Sequence, residues 1–225
     1  MSMNKEKTGN KKIVFVSDFD GTISKVDFFT YATEKIISNE DMAPWKEYKA
    51  GKIPHVEALH RIFSKIRLPK DEFDSFIDTI EVEDYFKDTV NLCSSKNIDF
   101  YVVSAGADYY INRVLKRECV DNCVTLITNP SAYSQECGLQ LIPLDKKDVL
   151  YDYDLGVSKK LFINKLKKEG CIVIFAGDGM PDIEAATVAD IVFAKDYLIE
   201  LCNKRCVEYI EFSTYFDIYN FISNC

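Results

Sequence analysis

Ile13-Val14-Phe15-Val16-Ser17-Asp18-Phe19-Asp20-Gly21-Thr22 runs from an apolar stretch straight into two carboxylates one residue apart. A run such as IVFV suits a strand covered on both faces of a parallel sheet, and ligands bind beyond the C-terminal ends of such strands. Alternation along extended chain turns Asp18 and Asp20 to one side and Phe19 to the other. Gly21 permits a sharp exit, and Thr22 offers a hydroxyl. Two acids so placed repel each other, and they either attract a divalent cation or share a proton. A simple turn after a strand is the other reading that this segment alone allows.

The 225 residues suffice for one sizeable core, or for a core with a small inserted cap. Apolar residues make up 47% and aromatics 13%, enough to bury a full interior. A formal charge of -8 and a pI near 4.9 argue against nucleic-acid surfaces and anionic membranes as partners. A phosphate-bearing ligand must therefore be drawn in by a local site. No apolar run approaches the ~20 residues that span a bilayer. MSMNKEKTGNKK has no hydrophobic signal core, and residues 1–11 are expected to be a polar, mobile leader. Eight cysteines without a secretory signal imply free thiols and a cytoplasmic setting. Cys119/Cys123 and Cys202/Cys206 have a spacing that zinc accepts, but helix-face packing is the reading preferred for both.

Beyond Thr22 the period becomes helical. Phe28, Phe29, Ala32, Ile36 and Ile37 form one stripe, Val56, Leu59, Ile62, Phe63 and Ile66 a second, and Phe73, Phe76, Ile77 and Ile80 a third. Pro44, Pro54 and Pro69 punctuate these segments. Residues 24–86 thus read as a helical cap inserted into a core made of 1–23 and 87–225. In that core, strands are expected at 99–103, 124–128, 172–176, 191–193 and 209–212, with 139–142 as an edge strand in an irregular or hairpin-like stretch over 130–155, and helices lie between the others. Such alternation indicates an α/β fold with a doubly wound, Rossmann-like parallel sheet.

The chemically suggestive residues fall just past strand ends or at helix starts. Ser104 follows Tyr101-Val102-Val103, and with the amides of Ala105 and Gly106 it forms an anion nest or else a helix cap. Gly177-Asp178-Gly179-Met180-Pro181-Asp182 follows a buried strand, and its two acids suit a metal better than a cap. Ser158 is a fitting N-cap, and Lys159 and Lys160 stand in the first helical turn. A cation there opposes the helix dipole, so it calls for a counter-charge.

Taken in order, DFDGT, Ser104, Lys159 and GDGMPD resemble the four motifs of the haloacid dehalogenase superfamily of phosphotransferases. The resemblance spans Ile13 to about Phe193, and a helical insertion after DFDGT marks the phosphoserine-phosphatase-like branch. GDGMPDIEAA and DIVFAKDYLIELC are similar to the methionine-salvage phosphatases, the fungal polyol phosphatases and the phosphoethanolamine/phosphocholine phosphatases. The methionine-salvage enzymes carry a cysteine-rich stretch before their lysine, where this chain has KKDVLYDYDLGVSKK.

The resemblance implies a Mg²⁺-dependent phosphomonoesterase acting on a small soluble phosphate ester. Asp18 would be the nucleophile and Asp20 the acid/base. Asp18, the carbonyl of Asp20 and Asp178 would hold the metal with support from Asp182, and Ser104, Ala105, Gly106 and Lys159 would bind phosphate. Asp27 stands where phosphoserine phosphatases place an acid. It also suits the hydroxyls of a polyol, sugar or keto-sugar, or the N-cap of a helix beginning at Phe28. Phosphoserine and phosphocholine phosphatases, a phosphomutase, and a phosphate-binding or phospho-accepting regulatory protein are the competing readings.

Overall fold

The computed structural model describes residues 11–224, so most of the expected leader lies outside the described residues. Strand β1 (Ile13–Ser17) is followed by helices α1 (Phe28–Lys35), α2 (Ala43–Lys49), α3 (His55–Phe63), α4 (Lys70–Asp78) and α5 (Phe86–Ser95). Then come β2 (Asp99–Ala107), α6 (Asp108–Arg117), β3 (Val124–Asn129), and two short hairpins, β4 (Ser131–Ser134) with β5 (Gly138–Leu141) and β6 (Tyr151–Asp152) with β7 (Gly156–Val157). The chain ends with α7 (Lys159–Lys168), β8 (Ile172–Gly177), α8 (Ile183–Ala186), β9 (Ile191–Ala194), α9 (Asp196–Arg205), β10 (Ile210–Glu211) and α10 (Tyr215–Ser223).

Six strands form one parallel sheet in the order β10-β9-β8-β1-β2-β3, the doubly wound α/β fold expected. The chain leaves β1 toward β2 and β3, then returns to β8 on the other side of β1. The strand order therefore reverses at the centre, where the C-terminal edge opens a crevice.

Side-chain alternation divides the interior between the two faces of the sheet. Phe15, Phe100, Val102, Ile174 and Phe193 belong to one apolar cluster, with Phe15 and Phe100 stacked at 4.9 Å. Val14, Val16, Val103, Val173, Phe175 and Val192 belong to the other, beneath α7, α8 and α9. This is why IVFV carries no polar residue. The helices of the insertion add Phe28, Phe63, Phe73 and Ile77 to the first cluster, continuous with Tyr110 and Ile111 of α6. One antiparallel bridge, Ser24 to Val82, ties the two ends of this helical segment together through two bonds, Glu83 N to Ile23 O and Lys25 N to Glu81 O. Lys195 Nζ reaches Glu83 Oε1 at 2.9 Å, both side chains nearly buried.

Two expectations are corrected. Segment 139–142 is not an edge of the main sheet, because β5 pairs with β4 in a separate hairpin lying against α3. The cysteine pairs do not share helix faces: Cys119 and Cys123 are exposed beyond α6, and only Cys202 is buried, Cys206 forming the exposed end of α9. Cys119, Cys123, Cys137, Cys171, Cys202 and Cys206 are free thiols. No helix among the described residues is long and apolar enough to cross a membrane.

Phe15→Ala should cost about 3–5 kcal/mol of unfolding free energy, because it removes a fully buried ring from the central strand. Leu161→Ala, on the exposed side of α7, should stay within about 0.5–1 kcal/mol. Urea titrations of the two variants check the contrast.

Candidate active site

The hydrogen-bond ladder between β1 and β8 runs past the strand end: Asp18 N donates to Ala176 O at 2.9 Å, fixing Asp18 at the edge of the sheet. Gly21 turns the chain with φ +75°, in the left-handed region that favours glycine, and a Cβ there would strike the Asp178 carboxylate. Thr22 Oγ1 donates to Asp178 Oδ1 at 3.0 Å. The turn after β1 and the loop after β8 are thus fitted to each other.

Lys159 is buried beneath them. Its ammonium lies 2.7 Å from Asp18 Oδ1 and 2.5 Å from Asp182 Oδ1. The other oxygen of Asp182 accepts the amides of Asp178 and Gly179 at 3.1 and 3.0 Å. Ligand oxygens of Asp18, Asp178 and Asp182 lie within 4.8 Å of one another. Three crowded carboxylates against one ammonium leave excess negative charge. Burial first, then repulsion from Asp182, pushes the Asp18 carboxyl well above its ordinary range and Asp178 up to about 7. Burial pulls the Lys159 ammonium down, but Asp18 and Asp182 outweigh it and keep the amine protonated. Such a cluster fits a hard divalent cation with oxygen ligands, Mg²⁺ included. Both oxygens of Asp182 are engaged, whereas Oδ2 of Asp18 and Oδ2 of Asp178 accept no hydrogen bond among the described residues. Lys160 points elsewhere, to Glu184 on the surface.

Asp20 is held apart from this trio. Phe28 N donates to its Oδ1 at 2.9 Å, and Tyr110 Oη and Ser104 Oγ donate to its Oδ2 at 2.5 and 3.3 Å. Burial raises its carboxyl to about 6, against the lowering effect of the Tyr110 and Phe28 bonds. Burial and the Asp20 charge lift the Tyr110 phenol well above its ordinary value, so it stays protonated.

Ala105 and Gly106 require a correction. Strand β2 continues to Ala107 and α6 opens only at Asp108, so these amides do not begin a helix. Gly106 N donates to Ser104 Oγ at 2.9 Å, and a Cβ on Gly106 would strike the Tyr110 hydroxyl. Buried Asn129 ties this loop to the segment before Lys159, its Nδ2 donating to Ala105 O and Leu155 O at 2.8 and 2.9 Å.

Asp27 caps α1, accepting Thr30 N at 2.8 Å, and also lines a cavity of about 440 Å³. The cavity floor carries Asp18, Asp20, Ser104, Lys159 and Asp178. Its other wall includes Phe29 and Leu59, read from the sequence only as members of apolar stripes, and Trp45, Lys49 and His55, to which sequence reading gives no role. Phe29 and Trp45 pack with ring centroids 4.1 Å apart and planes tilted by 31°, and His55 meets Trp45 and Tyr48 edge-on at 5.8 and 5.2 Å. Burial drives the His55 imidazole down to about 4, reinforced by Lys159 and Lys49 and opposed by Asp154 and Asp27.

Lys159→Ala should destabilise the metal-free protein by about 3–5 kcal/mol, because it leaves buried carboxylates unpaired. Lys160→Ala, which breaks an exposed pair, should cost no more than about 1 kcal/mol. Urea unfolding in chelator distinguishes the two, and equal losses would contradict the buried pairing. His55 gives a pH signature. Unfolded histidine takes a proton below about 6.5, whereas the folded imidazole resists one until about 4. Its contribution is therefore present above the unfolded value and lost as pH falls through that window, by about 1–3 kcal/mol. The drop in stability from pH 7 to pH 5 should be smaller in His55→Phe than in the wild type.

No family model matches the chain. It is 29% identical over 211 residues to a 2-hydroxy-3-keto-5-methylthiopentenyl-1-phosphate phosphatase of Exiguobacterium sibiricum, covering 92% of this chain and 94% of that protein. It is 28% identical over 214 residues to the Bacillus pumilus protein of the same name, covering 92% and 90%. Among solved structures, a substrate-bound phosphoserine phosphatase superposes with a TM-score of 0.66 at 17% identity, over 95% of this chain and 99% of its own. A HAD family hydrolase from Salmonella enterica serovar Typhi gives 0.68 at 14% identity, over 94% and 71%. The chain is thus similar in sequence to these phosphatases and shares the fold of the solved phosphoserine phosphatase and HAD hydrolase, in keeping with the resemblance carried by the four motifs.

Proposed function

We propose that the protein is a Mg²⁺-dependent phosphomonoesterase that hydrolyses a small soluble phosphate ester through an aspartyl-phosphate on Asp18. The observation that carries this reading is the separation of two neighbouring acids into different environments. Asp18 lies against Lys159 within the acidic trio, while Asp20 is turned out of it onto Tyr110 and Phe28. Acids whose surroundings differ in this way divide nucleophilic and acid/base work between them.

In the first half-reaction an oxygen of Asp18 attacks phosphorus as the ester P–O bond breaks, and Asp20 passes its proton to the departing oxygen. In the second, Asp20 takes a proton from the water that attacks the aspartyl-phosphate, freeing Asp18 and phosphate. Lys159, Ser104 and the 105–106 loop face the non-bridging oxygens, with Ser104 turning from Asp20 to do so. Asp18, Asp178 and the carbonyl of Asp20 would hold Mg²⁺, with Asp182 orienting Lys159 and the 178–179 amides. When bound, the ion neutralises charge on the transferring phosphoryl group.

Residues 24–86 act as the cap, whose aromatic wall excludes water and selects the leaving group. That wall, and relatives named for a keto-containing phosphate ester, favour an uncharged keto-sugar or polyol phosphate. Phosphoserine is the second reading, favoured by the Asp27 carboxylate in the cavity. Free thiols favour a cytoplasmic setting.

Phosphate release from a panel of small phosphomonoesters with Mg²⁺ tests the reading. Keto-sugar or polyol phosphates should be turned over best. Isomerised product without phosphate would indicate a mutase, and no turnover a binding protein. Asp18→Asn should fold but lose all turnover, and EDTA should abolish activity reversibly. Asp27→Ala should raise KM for the preferred ester, leave p-nitrophenyl phosphate little changed, and cost about 1 kcal/mol as a lost cap.

A further inference from the structure

Tyr110 touches the site but belongs to none of the four motifs. By position it is a core residue: it is buried on the apolar stripe of α6, and its ring stacks on Phe28 at 4.1 Å with planes 10° apart. Phenylalanine would fill that place as well, and a buried hydroxyl is costly unless it is hydrogen-bonded. The hydroxyl has one acceptor, Oδ2 of Asp20 at 2.5 Å. The chain also makes room for it, since a Cβ on Gly106 would strike this oxygen and come within 2.7 Å of Asp20 Oδ2.

The other oxygen of Asp20 is held from the opposite side. Phe28 N is a first-turn amide of α1, which has no partner within its own helix, and it donates to Asp20 Oδ1 at 2.9 Å. The stacked Phe28 and Tyr110 therefore bring one donor from the insertion and one from the core to a single carboxylate. Ser104 is the third donor, but it is expected to turn toward phosphate when substrate binds.

From this bracket we infer that Tyr110 is a positioning residue for Asp20. With Phe28 N, it fixes the plane of the carboxylate so that its proton points at the leaving oxygen and, later, its oxygen at the attacking water. The Tyr110 proton stays on the phenol throughout; only the Asp20 proton is transferred. This inference rests on the reading of Asp20 as the acid/base.

Tyr110→Phe keeps the ring and its stacking and removes only the hydroxyl. Single-turnover rates of the first step would be measured with Mg²⁺ for the preferred alkyl ester and for p-nitrophenyl phosphate, whose leaving group barely needs a proton. A hydrogen bond to a charged group lost here corresponds to about a 10- to 100-fold slower step for the alkyl ester. The loss with p-nitrophenyl phosphate should be less than about 3-fold. A merely structural role would slow both alike. Asp20→Asn, run beside it, should show the same selectivity at larger amplitude, and adding Tyr110→Phe to it should cost nothing more. Equal losses for both esters, no loss, or a further loss in the Asp20→Asn background would each overturn the inference while leaving the acid role of Asp20 intact. An Asp20→Asn variant without leaving-group selectivity would overturn both.

Discussion

The site is organised around one charge imbalance: a single buried ammonium facing three carboxylates at the C-terminal edge of the sheet. Lys159 stands between Asp18 and Asp182 at 2.7 and 2.5 Å, and it cannot neutralise Asp178 as well. Burying ions is costly unless partners and hydrogen bonds replace the lost water. Here the replacements come from several elements at once. Asp182 draws on the amides of Asp178 and Gly179, and Asp178 on the hydroxyl of Thr22. The remaining negative charge is what makes the cluster suited to a divalent cation, and after burial it is the second reason why both Asp18 and Asp178 resist ionisation.

That arrangement depends on where the sheet reverses its order. Because β8 and β1 are neighbours that the chain leaves in opposite directions, their C-terminal loops meet without a connection crossing between them. The loops approach so closely that Gly21 has no space for a Cβ against Asp178. Lys159 arrives from a third element, and Asn129 sets the approach by joining Ala105 to Leu155. Each chemical group is thus held by residues from another strand end, so the site forms only when the whole sheet has formed.

The parts legible in the sequence are those where a short local pattern carries both structure and chemistry. IVFV before DFDGT reads as a buried strand with acids at its mouth, and GDGMPD reads likewise after IVIFA, because neither needs knowledge of distant contacts. The helix start at Ser158 is also legible, whereas the choice of Lys159 over Lys160 comes from the motif resemblance; the structure turns Lys159 inward and Lys160 outward. What could not be read depends on tertiary contact. Tyr110 lies on the stripe with Ile111 and Val114, and nothing local distinguishes its hydroxyl from ring packing. Helix α2 has seven residues and no long stripe, so Trp45 gave no sign that it lines a cavity. The spacing of Cys119 and Cys123 resembled one helical turn, but α6 ends at Arg117 and Cys119 takes a positive φ.

The cavity therefore has two halves of different chemical character. The core half is fixed by buried ion pairs and backbone bonds. The half built by residues 24–86 has rings packed at tilted and edge-on angles around Trp45, with Asp27 committed in part to capping α1. Aromatic walls tolerate varied apolar and hydroxylated surfaces, whereas a carboxylate–ammonium cage tolerates little change. Under the proposed function, the leaving group can thus vary with the wall built by residues 24–86 while the acidic floor stays constant. The loop before Lys159 belongs with the insertion in this respect, since Asp154 accepts the His55 amide at 2.8 Å and so joins that loop to the start of α3. A change in that loop reaches the cavity wall without touching Asp18, Lys159 or Asp178.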